Sequence, residues 1–188
     1  MMSKIDRLAN AFAAHVAIGW PASSSGAQRV IMVIYDPADE RALRRKLDLF
    51  AQGARAAGKT WSALDLTPAV AEWLAGHRYR DVYFAEPDEL SAAGEDRIAA
   101  AIATTIEAAL SAEDQGPNSI LAVHGIASLY GFTSVSDVLS RVEHAIRGRL
   151  LIFFPGRVQD GRYRLLDARE SWDYHAVPIT LDDTGDVR

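Results

Sequence analysis

The sequence predicts a Rossmann-like three-layer α/β fold: a mainly parallel sheet with helices on both faces, closed by a C-terminal strand pair expected to be antiparallel. Three observations predict it. Val30 to Tyr35 is a continuous apolar run rich in β-branched residues, as a strand buried on both faces requires. Ser119 to Val123 and Leu150 to Phe154 are two further apolar runs. The amphipathic stretch Ser134 to Ile146 lies between those two, and a strand-helix-strand unit of this length forms a right-handed crossover with both strands parallel.

The elements follow in order. Ile5, Leu8, Phe12 and Val16 recur at helical spacing, predicting an N-terminal helix over 3–17 that Gly19-Trp20-Pro21 ends. Ala22 to Gln28, with three serines and a glycine, reads as a flexible connection. Asp36-Pro37 follows the first strand directly, the aspartate suited to cap the next helix and the proline to its first position. In that helix Leu43, Leu47, Phe50, Ala54 and Ala57 form one stripe, with Arg41, Arg44, Arg45 and Lys46 largely outside it. Trp61 to Leu66 is a shorter strand, and Thr67-Pro68 repeats the cap-then-proline signal before a brief helix through Leu74. Gly76 to Leu90 reads as irregular, because Asp81-Val-Tyr-Phe84 could be strand or helix and Glu86-Pro87 breaks either. Ile98, Ile102, Ile106 and Leu110 mark a helix ended by Gln115-Gly116-Pro117. After the crossover unit, Arg162 to Asp167 and Tyr174 to Ile179 read as the late strands, and residues from about 181 to 188 as a disordered tail.

The totals bound the function. With 188 residues, 49% apolar and 24% charged, the chain fits one domain over 1–188 with a substantial core. A net charge of -5 gives no sign of a general nucleic-acid or membrane-surface binder. The absence of cysteine excludes disulfides, thiolate metal sites and a Cys nucleophile, and it suits a reducing cytoplasm. Arg7, Asn10 and His15 interrupt the N-terminal apolar residues, so neither a signal peptide nor a membrane span is expected.

Gly53-Ala-Arg-Ala-Ala-Gly58-Lys59-Thr60 matches the phosphate-loop pattern G-x-x-x-x-G-K-[ST]. That chemistry needs a strand entering the loop and a helix leaving it, so that backbone N–H groups and the positive helix end meet the phosphates. Here a helix enters and a strand leaves. Gly58 reads instead as a helix C-cap, and no nucleotide or other cofactor is expected.

Asp36 and Asp65 both stand just past apolar strands, where open α/β sheets place ligands. Two carboxylates there could hold a divalent cation for a phosphohydrolase or nuclease, or could serve as an N-cap and a turn residue. His124, at the end of its strand, is a candidate base or ligand, but no second histidine lies at ligand spacing. Ser128 is outside any G-x-S-x-G frame, which removes a serine hydrolase. The uncharged loop with Gly125, Tyr130, Gly131 and Phe132 suits an apolar contact surface, and Phe153-Phe154-Pro155-Gly156-Arg157 ends the next strand nearby. Alternation puts one Phe on each sheet face, so one of the pair could line that surface. Arg157, Arg162, Arg164 and Arg169 could form a basic edge.

These residues carry a resemblance. A Gly followed by Tyr-x-Phe after an apolar strand, a helix containing Leu139, a strand closing in Phe153-Phe154-Pro155-Gly156, then Tyr163-Arg-Leu165 and Tyr174-x-Ala176, resembles the BrxB family, small cytoplasmic components of bacteriophage exclusion (BREX) defence systems. The likeness is most specific from Ser119 to Ile179. Gly131 stands where the family loop has proline, Ser134-Val135-Ser136 where it has Arg-Ser-His, and His175 where it tends to have Arg. Membership as a divergent member implies a non-enzymatic interaction subunit binding the PglZ-like component, in an assembly that also contains a DNA methyltransferase and large ATPases. The expected contact residues are Gly125, Tyr130, Gly131, Phe132, Phe154, Pro155, Gly156 and Arg157.

Overall fold

The structure, a computed structural model, describes residues 2–21, 25–159, 162–166 and 172–181. In chain order the helices are α1 (Lys4–Ala17), α2 (Glu40–Arg45), α3 (Leu47–Ala56), α4 (Ala69–Gly76), α5 (Arg80–Ala85), α6 (Asp88–Leu110) and α7 (Val135–Val142). The strands are β1 (Val30–Tyr35), β2 (Thr60–Asp65), β3 (Ser119–His124), β4 (Arg149–Gln159), β5 (Arg162–Leu165), β6 (Trp172–Asp173) and β7 (Val177–Ile179). Five strands form a parallel sheet in the order β2-β3-β4-β1-β7, and β4 runs on into an antiparallel extension with β5 and β6.

The order explains the layers. The chain crosses from β1 to the far edge at β2 through α2 and α3, then returns through β3 to β4 beside β1 by way of α6 and α7. Reversing direction while keeping right-handed crossovers requires the second set of helices to take the opposite face. Accordingly Ile31, Val33, Ile120, Leu151 and Phe153 pack with α1 and α3, whereas Met32, Ile34, Leu121, Ile152 and Phe154 pack with α6 and α7. Phe50 of α3 meets Phe153 edge-on, with ring centroids 4.9 Å apart, and Phe12 of α1 joins the same group. A side chain of this size withdrawn from water contributes about 1.5–3 kcal/mol, so these apolar faces hold the three layers together.

The local signals act as their chemistry demands. Ser3 and Asp6 form a reciprocal capping box at α1, and Lys46 reaches Asp6 at 2.5 Å. That hydrogen bond first, then those from Ser3, holds the Asp6 carboxyl down to about 2. Asp36 accepts from the Ala38 amide at 3.0 Å, with Pro37 opening the turn before α2.

At the end of α3, Gly58 has φ +72, its amide donates to Arg55 O, and the Lys59 amide reaches back to Ala54 O. These are the paired bonds of a Schellman cap. The phosphate-loop look-alike is thus the end of a helix followed by β2. Its first glycine lies inside α3, where a Cβ would come within 2.9 Å of Ala13 on α1.

Two expectations are corrected. Gly76 to Leu90 is largely helical: it contains α5 and the start of α6, with Pro87 at the N-cap rather than as a breaker. Of the segment read as a strand over 174–179, only Val177–Ile179 is strand, and a separate two-residue strand precedes it. Trp172–Asp173 pairs antiparallel with β5, whereas Val177–Ile179 pairs parallel with β1 and completes the main sheet. Leu181 packs against the core, while Arg169 and residues 182–188 of the expected tail lie outside the described residues. No helix among the described residues is long and apolar enough to cross a membrane.

Candidate functional site at the carboxyl edge of the sheet

The parallel register puts the ends of β1, β2 and β3 on one edge, with Asp65 opposite His124. Arg44 spans this edge. From α2 its Nε donates to Glu40 Oε1 at 2.6 Å, its Nη2 to Thr67 Oγ1 at 2.7 Å, and its Nη1 stands 3.7 Å from Asp65 Oδ2. The buried Tyr35 hydroxyl donates to the other Glu40 oxygen. Asp65 Oδ1 accepts from the Thr67 amide at 2.9 Å and from its hydroxyl at 2.5 Å. His124 Nδ1, buried and without a hydrogen-bond partner, lies 3.3 Å from the same oxygen.

The electrostatics follow from these contacts. Burial opposes ionisation of Asp65, but the Thr67 hydrogen bonds and the nearby His124 and Arg44 outweigh it and keep the carboxyl below its ordinary value. Burial pushes the His124 imidazole down, against the pull of Asp65. Burial, then the bond to Glu40, raises the Tyr35 phenol. The bond to Glu40 raises Arg44. The result is a locked network in which each charge already faces a protein partner. It joins α2 to the ends of β2 and β3.

Gly125 follows His124 with φ +80, and a Cβ there would lie 2.5 Å from the Thr67 amide nitrogen and 2.7 Å from Asp65 Oδ1. Only glycine allows this approach. Ser128 Oγ then donates to Leu66 O at 2.9 Å and to Gly125 O at 2.8 Å, fastening the 3-10 turn Ile126–Leu129 over the end of β2. Ser128 is therefore a clamp. Gly131 has φ +79, a value that proline's ring forbids, so the loop takes a path closed to a chain with proline at that position.

The expected contact residues separate by exposure. Phe154 is fully buried, and Gly125, Pro155 and Gly156 are buried with it. Phe132 packs partly into the core, whereas Tyr130, Gly131 and Arg157 are exposed. Phe154 meets Tyr163 edge-on, and Tyr163 Oη donates to Ala176 O at 3.3 Å, so three pieces of the resemblance motif meet in the core. Asp36 and Asp65 are engaged by different partners, and no group of three or more metal-ligating side chains gathers among the described residues.

Sequence reasoning missed two things. The spacing places Arg44 outside the apolar stripe and gives it no partner, although Glu40 four residues earlier and the strand-end position of α2 are signals for one. The unassigned segment also carries an aromatic ridge. The His77 ring stacks near Trp73, Tyr79 and Tyr83, while Tyr79, Val82 and Phe84 are 45%, 47% and 71% exposed. Of these elements, α4 contacts both α5 and the 3-10 turn beneath Tyr130. Comparison of the chain with protein-family models, with curated proteins and with solved structures finds no match.

Proposed function

We propose that this protein is a non-enzymatic interaction subunit that contacts its partner through the carboxyl edge of the sheet. One observation carries the reading: Tyr79, Val82, Phe84 and Tyr130, four of the large apolar side chains most exposed to water, sit on α5 and its N-cap and on the loop after β3, neighbours through α4. Exposed aromatics clustered over a rigid scaffold are a usual mark of a protein contact. The acidic and basic groups beside them are engaged with one another and serve to hold the loops. The motif likeness to BrxB names the PglZ-like component of a BREX system as the partner to test. Co-expression of the two proteins and affinity capture are expected to recover the complex. Phe84→Ala with Tyr130→Ala is expected to cut recovery at least about tenfold with the fold intact, since central aromatic anchors commonly supply 2 kcal/mol or more. Undiminished capture by the double variant would remove this surface.

A further inference from the structure

The opposite, amino edge of the sheet gathers hydrogen-bond donors and positive charge without matching acceptors. Trp20 lies there between two cations: Lys59 Nζ is 3.9 Å and the Arg149 guanidinium carbon 4.6 Å from its ring centroid. Arg149, at the start of β4, is only 7% exposed. Among the described residues, one of its five N–H groups donates to Gly148 O at 3.0 Å. Among the described residues Lys59 donates to one neutral acceptor, Asn118 Oδ1 at 3.3 Å. The Trp20 indole N–H is buried and meets no acceptor among the described residues.

Two further basic side chains act on this group. Arg29 donates to Ile146 O at 2.6 Å and, after burial itself, depresses Arg149; Arg149 in turn, again after burial, depresses half-buried His15. No carboxylate among the described residues stands within ion-pair distance of Lys59 or Arg149. Buried donors normally find partners, and a buried guanidinium normally finds a carboxylate or a phosphate.

We infer that Trp20 Nε1, Arg149 and Lys59 form a binding site for a phosphate-type oxyanion at the amino edge of the sheet. A tetrahedral anion presents several acceptors to donors that three different segments bring to one aromatic ring. The guanidinium supplies a planar fork for two of its oxygens, and the ammonium supplies a point charge at the half-buried rim. The indole N–H supplies a donor that no described protein group uses. The site is separate from the partner surface proposed above, which lies at the other end of the strands.

The test is phosphate titration of the full chain, read by the indole N–H resonance of Trp20 in 15N-edited NMR, with the assignment made by Trp20→Phe. Inorganic phosphate is expected to shift that resonance saturably, while sodium chloride at matched ionic strength leaves it in place. Lys59→Gln and Arg149→Lys are each expected to weaken binding about tenfold, the loss of one charge-assisted contact. Lys59 lies at the rim, so its variant retains the native spectrum even if the buried Arg149 variant does not fold. A phosphomonoester binding as inorganic phosphate does would show that only the oxyanion is recognised. No indole shift with phosphate, an equal shift with chloride, or unchanged affinity in Lys59→Gln would overturn the assignment.

Discussion

Gly125→Ala is expected to lower the stability of the fold by roughly 3–5 kcal/mol, the combined scale of left-handed backbone strain and core overpacking. The backbone there has φ +80, and the new methyl would lie 2.5 Å from both the Thr67 amide nitrogen and Thr67 Oγ1. Neither atom can withdraw freely. The amide and the hydroxyl both donate to Asp65, and the hydroxyl also receives Arg44. The collision therefore loosens the end of β2, the Arg44 bridge and the loop leading to Tyr130 together. Against a typical total of about 5–15 kcal/mol, a loss of this size should be plain in a urea midpoint. A change below about 1 kcal/mol would mean that the β2 and β3 ends do not lie as close as described.

Phe154→Ala is expected to cost about 3–5 kcal/mol, the usual range for emptying a buried aromatic site. Phe154 is fully buried and packs against Tyr163, whose hydroxyl reaches Ala176 O. The substitution removes the surface on which the β4–β5 extension rests. Tyr130→Ala supplies the contrast: Tyr130 is 48% exposed, and its replacement should change stability by no more than about 0.5 kcal/mol. Paired denaturation curves separate a residue that builds the fold from one available for contact. If the two variants melted alike, the division of the resemblance motif into core and surface would be wrong.

How much was legible follows from where each signal lives. β1, β3 and the first half of β4 are visible because parallel strands buried on both faces must be continuous apolar runs, whereas the edge strand β2 is half exposed and carries a weaker signal; Asp36-Pro37 marks the turn after β1 by its own backbone chemistry. The Schellman cap at Gly58 is equally local, which is why the phosphate-loop pattern could be rejected from its context. β7 has only three residues, and nothing in Val177–Ile179 encodes a parallel partner 146 positions earlier. Its pairing is decided by the open edge of β1. The short α5 carries too few turns for periodicity to speak, and Pro87 signals a break and a helix start equally well.

The sites show the same limit. Asp65 and His124 could be placed at one edge because strand ends converge in a parallel sheet. That Arg44 would lock them depends on a side chain reaching 23 positions along the chain to Thr67. Phe153 and Phe154 could be assigned to opposite faces by alternation, but alternation does not say that both faces are covered. Helices on both sides of β4 make both rings core. The cluster at Trp20 joins residues 20, 59 and 149, with no local pattern linking them.

The most direct test of the interaction surface is hydrogen–deuterium exchange on the full chain, alone and in complex with the PglZ-like protein. New protection is expected in peptides covering 77–85 and 126–133, the exposed ridge and the loop beside it, with the amino edge around residues 15–20 unchanged. Failure to form a complex, or protection confined to the amino edge or to the exposed faces of α1 and α3, would contradict the proposed contact.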